Sequence, residues 1–207
     1  MEINTLIYFL TASVLLTLAP GPDNMYLLAK SLASGAKSGV FLSAGLASGI
    51  VFHTALVILG VAALIKSSPA AFAGLKFMGA AYLLYLAWKA FHEKGELQLG
   101  EADEGASYMF LYRRGVLMNV LNPKVLLFFL AFLPQFVDTG STNLAWHIAL
   151  LGAVFALQAF GIFSFIALCA GSLRKFILGK KNLNQILGIV QGVVLTIIAL
   201  AIMCSEV

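Results

Sequence analysis

Asp23 and Lys124 are the residues whose types and places could do chemistry. Each directly follows a proline, Pro22 and Pro123, and each lies inside a long apolar stretch. A full charge at the bilayer centre costs about 3 kcal/mol on insertion scales, so one is kept there for a reason. Three uses are open. Asp23 could cap the half-helix that starts after Pro22, where the helix dipole favours a negative charge. The two could pair with each other and hold two broken helices together. Or they could stand apart and clamp a zwitterion, Asp23 and nearby carbonyls facing an ammonium and Lys124 with free N–H groups facing a carboxylate.

Four neutral polar residues join them as candidates. Asn24 and Asn122 flank the prolines and could either heal the interrupted backbone or touch a solute. His53 and Gln158 fall near the centres of the second and fifth apolar segments, where polar side chains need partners. His53, with an unperturbed pKa of about 6.5, could relay protons or simply bridge helices by a hydrogen bond. Tyr26, Tyr82 and Tyr85 could line a cavity or sit at a membrane interface, and spacing does not decide between these.

The elements that position these residues are broken membrane helices. The run Ala19, Pro20, Gly21, Pro22, Asp23, Asn24 interrupts the first apolar segment at mid-span, and Asn119 to Lys124 interrupts the fourth around Pro123. Unwound backbone at that depth is tolerated only where it lines a cavity or is buried in protein. Paired breaks in the two halves of a chain are the best sequence pointer to a transport site.

Composition requires a membrane setting. The 207 residues are 61% hydrophobic and 11% charged, with a mean hydropathy of +0.96, which a water-exposed surface cannot accommodate. Six segments are long enough to span a ~30 Å core. They are Asn4 to Ala29, Ser38 to Ile65, Pro69 to Phe91, Leu111 to Phe136, Leu144 to Ala170 and Leu183 to Met203. Met1 and Glu2 precede the first without a basic region or a cleavage pattern, so a removed signal peptide is not expected.

The net charge of +4 is read as an orientation signal, not as an invitation to nucleic acid. Lys30, Lys37, Lys89, Lys94, Arg113, Arg114, Arg174, Lys175, Lys180 and Lys181 are assigned to loops on one side. The positive-inside rule makes that side cytoplasmic and places both termini outside. Lys66 and Lys76 are assigned to the other side.

Residues 92–110 form an acidic, glycine-containing connector with Glu93, Glu96, Glu101, Asp103 and Glu104. It divides one transporter domain, 1–207, into three segments (1–91) and three more (111–207). An odd number per half inverts the second half in the membrane. The expected fold is therefore an all-α integral membrane protein of six transmembrane helices. They form a three-plus-three inverted repeat with helices one and four broken at the proline motifs. Weak self-similarity, pairing Pro22 with Pro123 and Gly79 with Gly188, agrees. The small-residue pairs Gly45 with Gly49 and Gly188 with Gly192 are read as close helix packing, with homo-oligomerisation through them left open.

Other chemistries find little support. His53, His92 and His147 are scattered, and Cys169 and Cys204 lack metal-ligand spacing and are read as apolar packing, so no metal site is expected. There is no phosphate-binding loop, zinc-protease helix or serine elbow. No catalytic residue and no cofactor are therefore assigned. A thiol relay would need cysteines beside the breaks.

Ala19 to Asn24, Ala44 to Gly49 (Ala-Gly-Leu-Ala-Ser-Gly), Gly79 to Leu83 (Gly-Ala-Ala-Tyr-Leu) and Asn119 to Val137 together resemble the LysE/RhtB family of bacterial amino-acid exporters. The resemblance extends over essentially the whole chain. It implies export of amino acids, with homoserine-, threonine- or leucine-like neutral ones favoured, through the inner membrane and driven by an ion gradient, with the proton as coupling ion. Its first signature falls on Pro20, Gly21, Pro22 and Asn24, and its second on Asn122, Pro123 and Lys124. Relatives accept asparagine and other residues at position 23, so no universal proton carrier is implied there. The alternative is export of metal ions or other small metabolites, as in the wider superfamily. The partners expected are thus an amino acid, a proton and membrane lipid.

Overall fold

The computed structural model describes residues 3–61, 68–92, 106–137, 143–178 and 183–204. Most of the acidic connector, with Lys66, Lys94, Asp138, Lys180 and Lys181, lies outside the described residues. Every described element is helical. Helices α1 (Ile3–Leu18) and α2 (Pro22–Ser34) form one bent pair, at 59°. Helix α3 (Ala36–Leu56) runs on into a π turn, Val57–Val61, and α4 spans Pro69–His92. Helix α5 (Tyr108–Val120) meets α6 (Pro123–Leu127) in a second bent pair, at 50°. From α6 the chain continues through a π turn, Phe128–Phe132, and a tight turn, Leu133–Phe136. Helices α7 (Leu144–Leu178) and α8 (Leu183–Cys204) complete the bundle. Four straight helices and two bent pairs are thus apolar and long enough for six membrane spans.

The breaks follow from proline chemistry. Pro20 and Pro123 have no N–H to offer the carbonyl four residues earlier, and their rings collide with the preceding turn. Helix α1 makes its last regular bond from Ala19 N to Leu15 O, at 2.9 Å, and α2 starts afresh with Pro22 in its first turn. Asn122 caps α6, its side chain accepting from Lys124 N at 3.0 Å.

Several boundaries differ from the expectation. Helix α2 continues to Ser34, so Lys30 is not a loop residue but a helical one, 1% exposed. The connection to α3 is the single residue Gly35, whose φ of +84° suits glycine alone. Lys37, Lys89, Arg174 and Lys175 also fall within helix ends rather than in loops, and Arg113 and Arg114 lie in the middle of α5. Basic residues do not end these helices because lysine and arginine are good helix formers. Lys76 is buried two turns into α4. Cys169 is half-buried, whereas Cys204 is exposed at the end of α8 and is not packed as expected.

Helix α3 is the central one, with 56% of its span buried against 28–33% for α4, α7 and α8. It packs on α2, α5 and α7, while α4 packs on α8. The small residues allow this closeness. A Cβ at Gly45 would lie 2.0 Å from Tyr112 O, and one at Gly115 would lie 2.4 Å from Leu42 O. Gly188 and Gly192 abut Ala90 O and the Phe91 ring in the same manner. Both small-residue pairs are therefore consumed within the chain. Gly79 faces Ala131 Cβ instead, so the glycines aligned by self-similarity meet different neighbours.

Gly45→Ala must push α3 off a backbone carbonyl, a strain of about 1–3 kcal/mol. Its melting temperature in detergent is expected to fall clearly below that of the parent. Gly161, where an added Cβ meets nothing within 4 Å, supplies the control. Gly161→Ala should melt at or above the parent, since alanine in a helix gains about 0.5–1 kcal/mol over glycine.

Candidate functional site

The two breaks meet, and each supplies what the other lacks. Pro20 leaves the Leu16 carbonyl without its helical donor, and the end of α1 exposes that of Ala19. Lys124 Nζ donates to both, at 3.2 and 2.9 Å. An ammonium there also sits at the negative end of the α1 dipole. Gly21 lies beside it, and a Cβ at that position would stand in ordinary contact with Nζ, at 3.4 Å. The Thr17 carbonyl, left open by the same break, accepts from Asn24 Nδ2 at 2.9 Å.

Across the junction Pro123 deprives the Asn119 carbonyl in the same way. That oxygen accepts from Asn122 N at 2.9 Å and from His53 Nε2 at 3.0 Å. A carbonyl only accepts, so Nε2 carries a hydrogen. Asn122 works in both directions: its oxygen caps α6, and its Nδ2 donates to Asp23 Oδ2 in the first turn of α2. Asp23 and Lys124 thus share one junction, and each spends its bonds on neutral partners. Gln158 reaches in from α7, donating to Thr17 Oγ1 at 2.9 Å and to Ser13 O at 3.4 Å.

A small cavity opens at this junction. Its polar wall is Thr17, Asp23, Asn24, Asn119 and Lys124, and its apolar wall is Leu16, Ile50, Val125, Phe155 and Phe163. A water-sized sphere can be centred in about 10 Å³ of it, room for roughly one water. A solute much larger than a water fits only if the helices move.

Of the residues singled out in the sequence, Asp23, Asn24 and Lys124 line this cavity, and Asn122 braces it from behind. His53 and Gln158 stand one bond away, through Asn119 and Thr17. Pro20, Gly21, Pro22 and Pro123 shape the break without lining the cavity. Tyr82 and Tyr85 are exposed on α4, and Tyr26 lies under Arg114, 4.3 Å from its ring centre. The sequence reading missed Thr17 and Asn119. The signal for Asn119 was available, because it sits four residues before Pro123. Among the described residues, no group of three His, Cys, Asp or Glu side chains could hold a metal ion.

The double use of Asn122 is testable. Asparagine and aspartate cap helices about equally, but Asn122→Asp would set two carboxylates face to face where an amide now donates. Asn122→Asp is expected to melt well below the parent in detergent, by more than Asn122→Ala, whose lost cap alone is worth about 1 kcal/mol. Equal melting of Asn122→Asp and parent would mean that the bond to Asp23 carries no stability.

Comparison with known proteins identifies relatives along most of the chain. A leucine efflux protein of Klebsiella pneumoniae is 29% identical over 187 residues, covering 88% of each chain. One of Enterobacter sp. is 27% identical over 182 residues, covering 86% of this chain and 85% of its own. An uncharacterized membrane protein of Bacillus subtilis, YrhP, is 29% identical over 187 residues, covering 86% and 89%. No solved structure matches the chain. The family profile described as LysE type translocator matches residues 14–206. With two bent helix pairs, four straight spans and that match over nearly its full length, the chain belongs to the LysE type translocator family and is a membrane transporter, not an enzyme.

Proposed function

We propose that this protein exports neutral amino acids with apolar side chains, leucine-like ones foremost, by exchange for protons. The cavity carries the reading. Its lining offers a carboxylate and an ammonium together with aliphatic and aromatic side chains. A zwitterion with an apolar side chain is the solute whose charges and surface match both. The ammonium of Lys124 has three donors and two are taken, so one is left for a solute carboxylate. Asn122 occupies one oxygen of Asp23, and the other is available to a solute ammonium. The relatives named leucine efflux proteins point the same way.

Alternating access about the junction accounts for the small cavity, since the solute enters only when one side opens. Span pairing supports an inverted repeat behind it. Span one packs on five as two packs on four, and spans two and five, and three and six, pack on each other. Exchanging the first three spans for the last three preserves that scheme. Lys37, Lys89, Arg113 and Arg114 share one side in such a bundle, which we read as cytoplasmic, with both termini outside the inner membrane.

Inside-out vesicles containing the protein should take up labelled leucine, and a protonophore should abolish that uptake. Lys124→Ala should reduce uptake at least tenfold at matched abundance, and retained rates would refute the clamp. Asp23→Asn should remove the dependence of uptake on the imposed pH gradient if Asp23 carries the coupled proton. An unaltered profile would transfer that role to another group, His53 first.

A further inference from the structure

Asn119 is 2% exposed, lines the cavity, and its Oδ1 has no hydrogen-bond partner among the described residues. A buried acceptor left bare is destabilising, and native structures seldom keep one without a use. Its surroundings show that the placement is built. The backbone of Asn119 is pinned by His53 Nε2 and Asn122 N on its carbonyl. Its amide fills a notch in α3 that exists only because residue 49 is glycine, as a Cβ there would lie 2.7 Å from Asn119 Cβ and 2.8 Å from Oδ1.

The polar wall can be followed bond by bond. Thr17 Oγ1 donates to Ser13 O and accepts from Gln158, and Asn24 Nδ2 is committed to Thr17 O. Lys124 keeps one donor. Asp23 keeps one carboxylate oxygen, and Asn119 keeps its amide oxygen. Spare acceptors on Asp23, Asn24 and Asn119 and spare N–H donors on Lys124 and the amides of Asn24 and Asn119 thus remain around the cavity, groups of both kinds that an ammonium beside a carboxylate requires.

We propose that Asn119 is a substrate-binding residue whose amide oxygen, with Asp23, receives the ammonium of the transported amino acid. The inference rests on the amino-acid reading above and adds a contact to it. A neutral acceptor suits the task. Asp23 and Lys124 already sum to zero charge, and a zwitterion adds none, so a second carboxylate would leave a net charge in a dry site.

The test uses the full-length protein in inside-out vesicles, labelled leucine, and two competitors that each keep half of the zwitterion. Isoamylamine has the ammonium without the carboxylate, and isocaproate has the carboxylate without the ammonium. On the parent, both should compete with leucine. Asn119→Leu should raise the KM for leucine about tenfold or more with a smaller change in maximal rate. It should lose competition by isoamylamine and keep competition by isocaproate. Asn119→Asp, which restores an acceptor, should be inhibited by isoamylamine at least as strongly as the parent, and it decides the matter alone if Asn119→Leu does not accumulate. Isoamylamine that fails to compete on the parent, that competes unchanged on Asn119→Leu, or that loses competition on Asn119→Asp overturns the proposal. Loss of both competitors together on Asn119→Leu also overturns it, since that marks collapse of the site. A parent that takes up leucine normally while Asn119→Leu matches it refutes only the role of Asn119. A parent that takes up no neutral amino acid refutes the amino-acid reading itself, and this contact with it.

Discussion

A carbonyl that has lost its helical donor in a dry environment must find another, and this molecule is organised around two such carbonyls. Pro20 strips Leu16 and Pro123 strips Asn119. In water the loss would be repaired by solvent, but in the hydrocarbon core each unpaired group costs several kcal/mol. The donors that repair them come from other spans: Lys124 from the far break, at 3.2 Å, and His53 from the central helix, at 3.0 Å. Lys124 and His53 therefore bind backbone, while Asp23 ties its break to the other through the Asn122 amide.

That exchange also explains how buried charge is tolerated. Lys124 lies among carbonyl oxygens at a helix C-terminus, and Asp23 lies in the first turn of a helix with an amide donating to it. Both are placed where fixed dipoles favour their sign. Aromatic packing closes the junction on the side of α1 and α6. Phe9, Phe128, Phe129 and Phe155 interlock with ring centres 5.1–6.5 Å apart, and Phe132 and Phe136 extend the cluster. Phe128 to Phe132 form a π turn, a wide and uncommon helical turn that recurs at functional sites. Toward the opposite ends of α2 and α5, Arg114 covers Tyr26. The cavity lies between these two packed regions.

The breaks, the span number and the placing of Asp23 and Lys124 beside the breaks were legible in the sequence because proline chemistry and the cost of charge in lipid are local properties. Their partners were not. The sequence left open a mutual ion pair or a clamp, but which donor reaches an orphaned carbonyl depends on packing between residues 66 and 108 positions apart. Lys30 shows another limit. Its charge suggested a loop, yet α2 runs past it and buries it, because the turn that follows needs only Gly35. Asn119 was passed over as flanking sequence. Its position four residues before Pro123 gave its backbone a role, and only the notch at Gly49 gave one to its amide.

Gly35 has a mechanical consequence. A one-residue joint lets α2 swivel against α3 but leaves no slack between them. Any tilt of α2 that widens the junction must drag the first turn of α3. Helix α3 in turn is seated on α5 through backbone-close contacts at Gly45 and Gly115, so displacement is handed on to the second break. The two breaks are geared together, so that widening one strains the other.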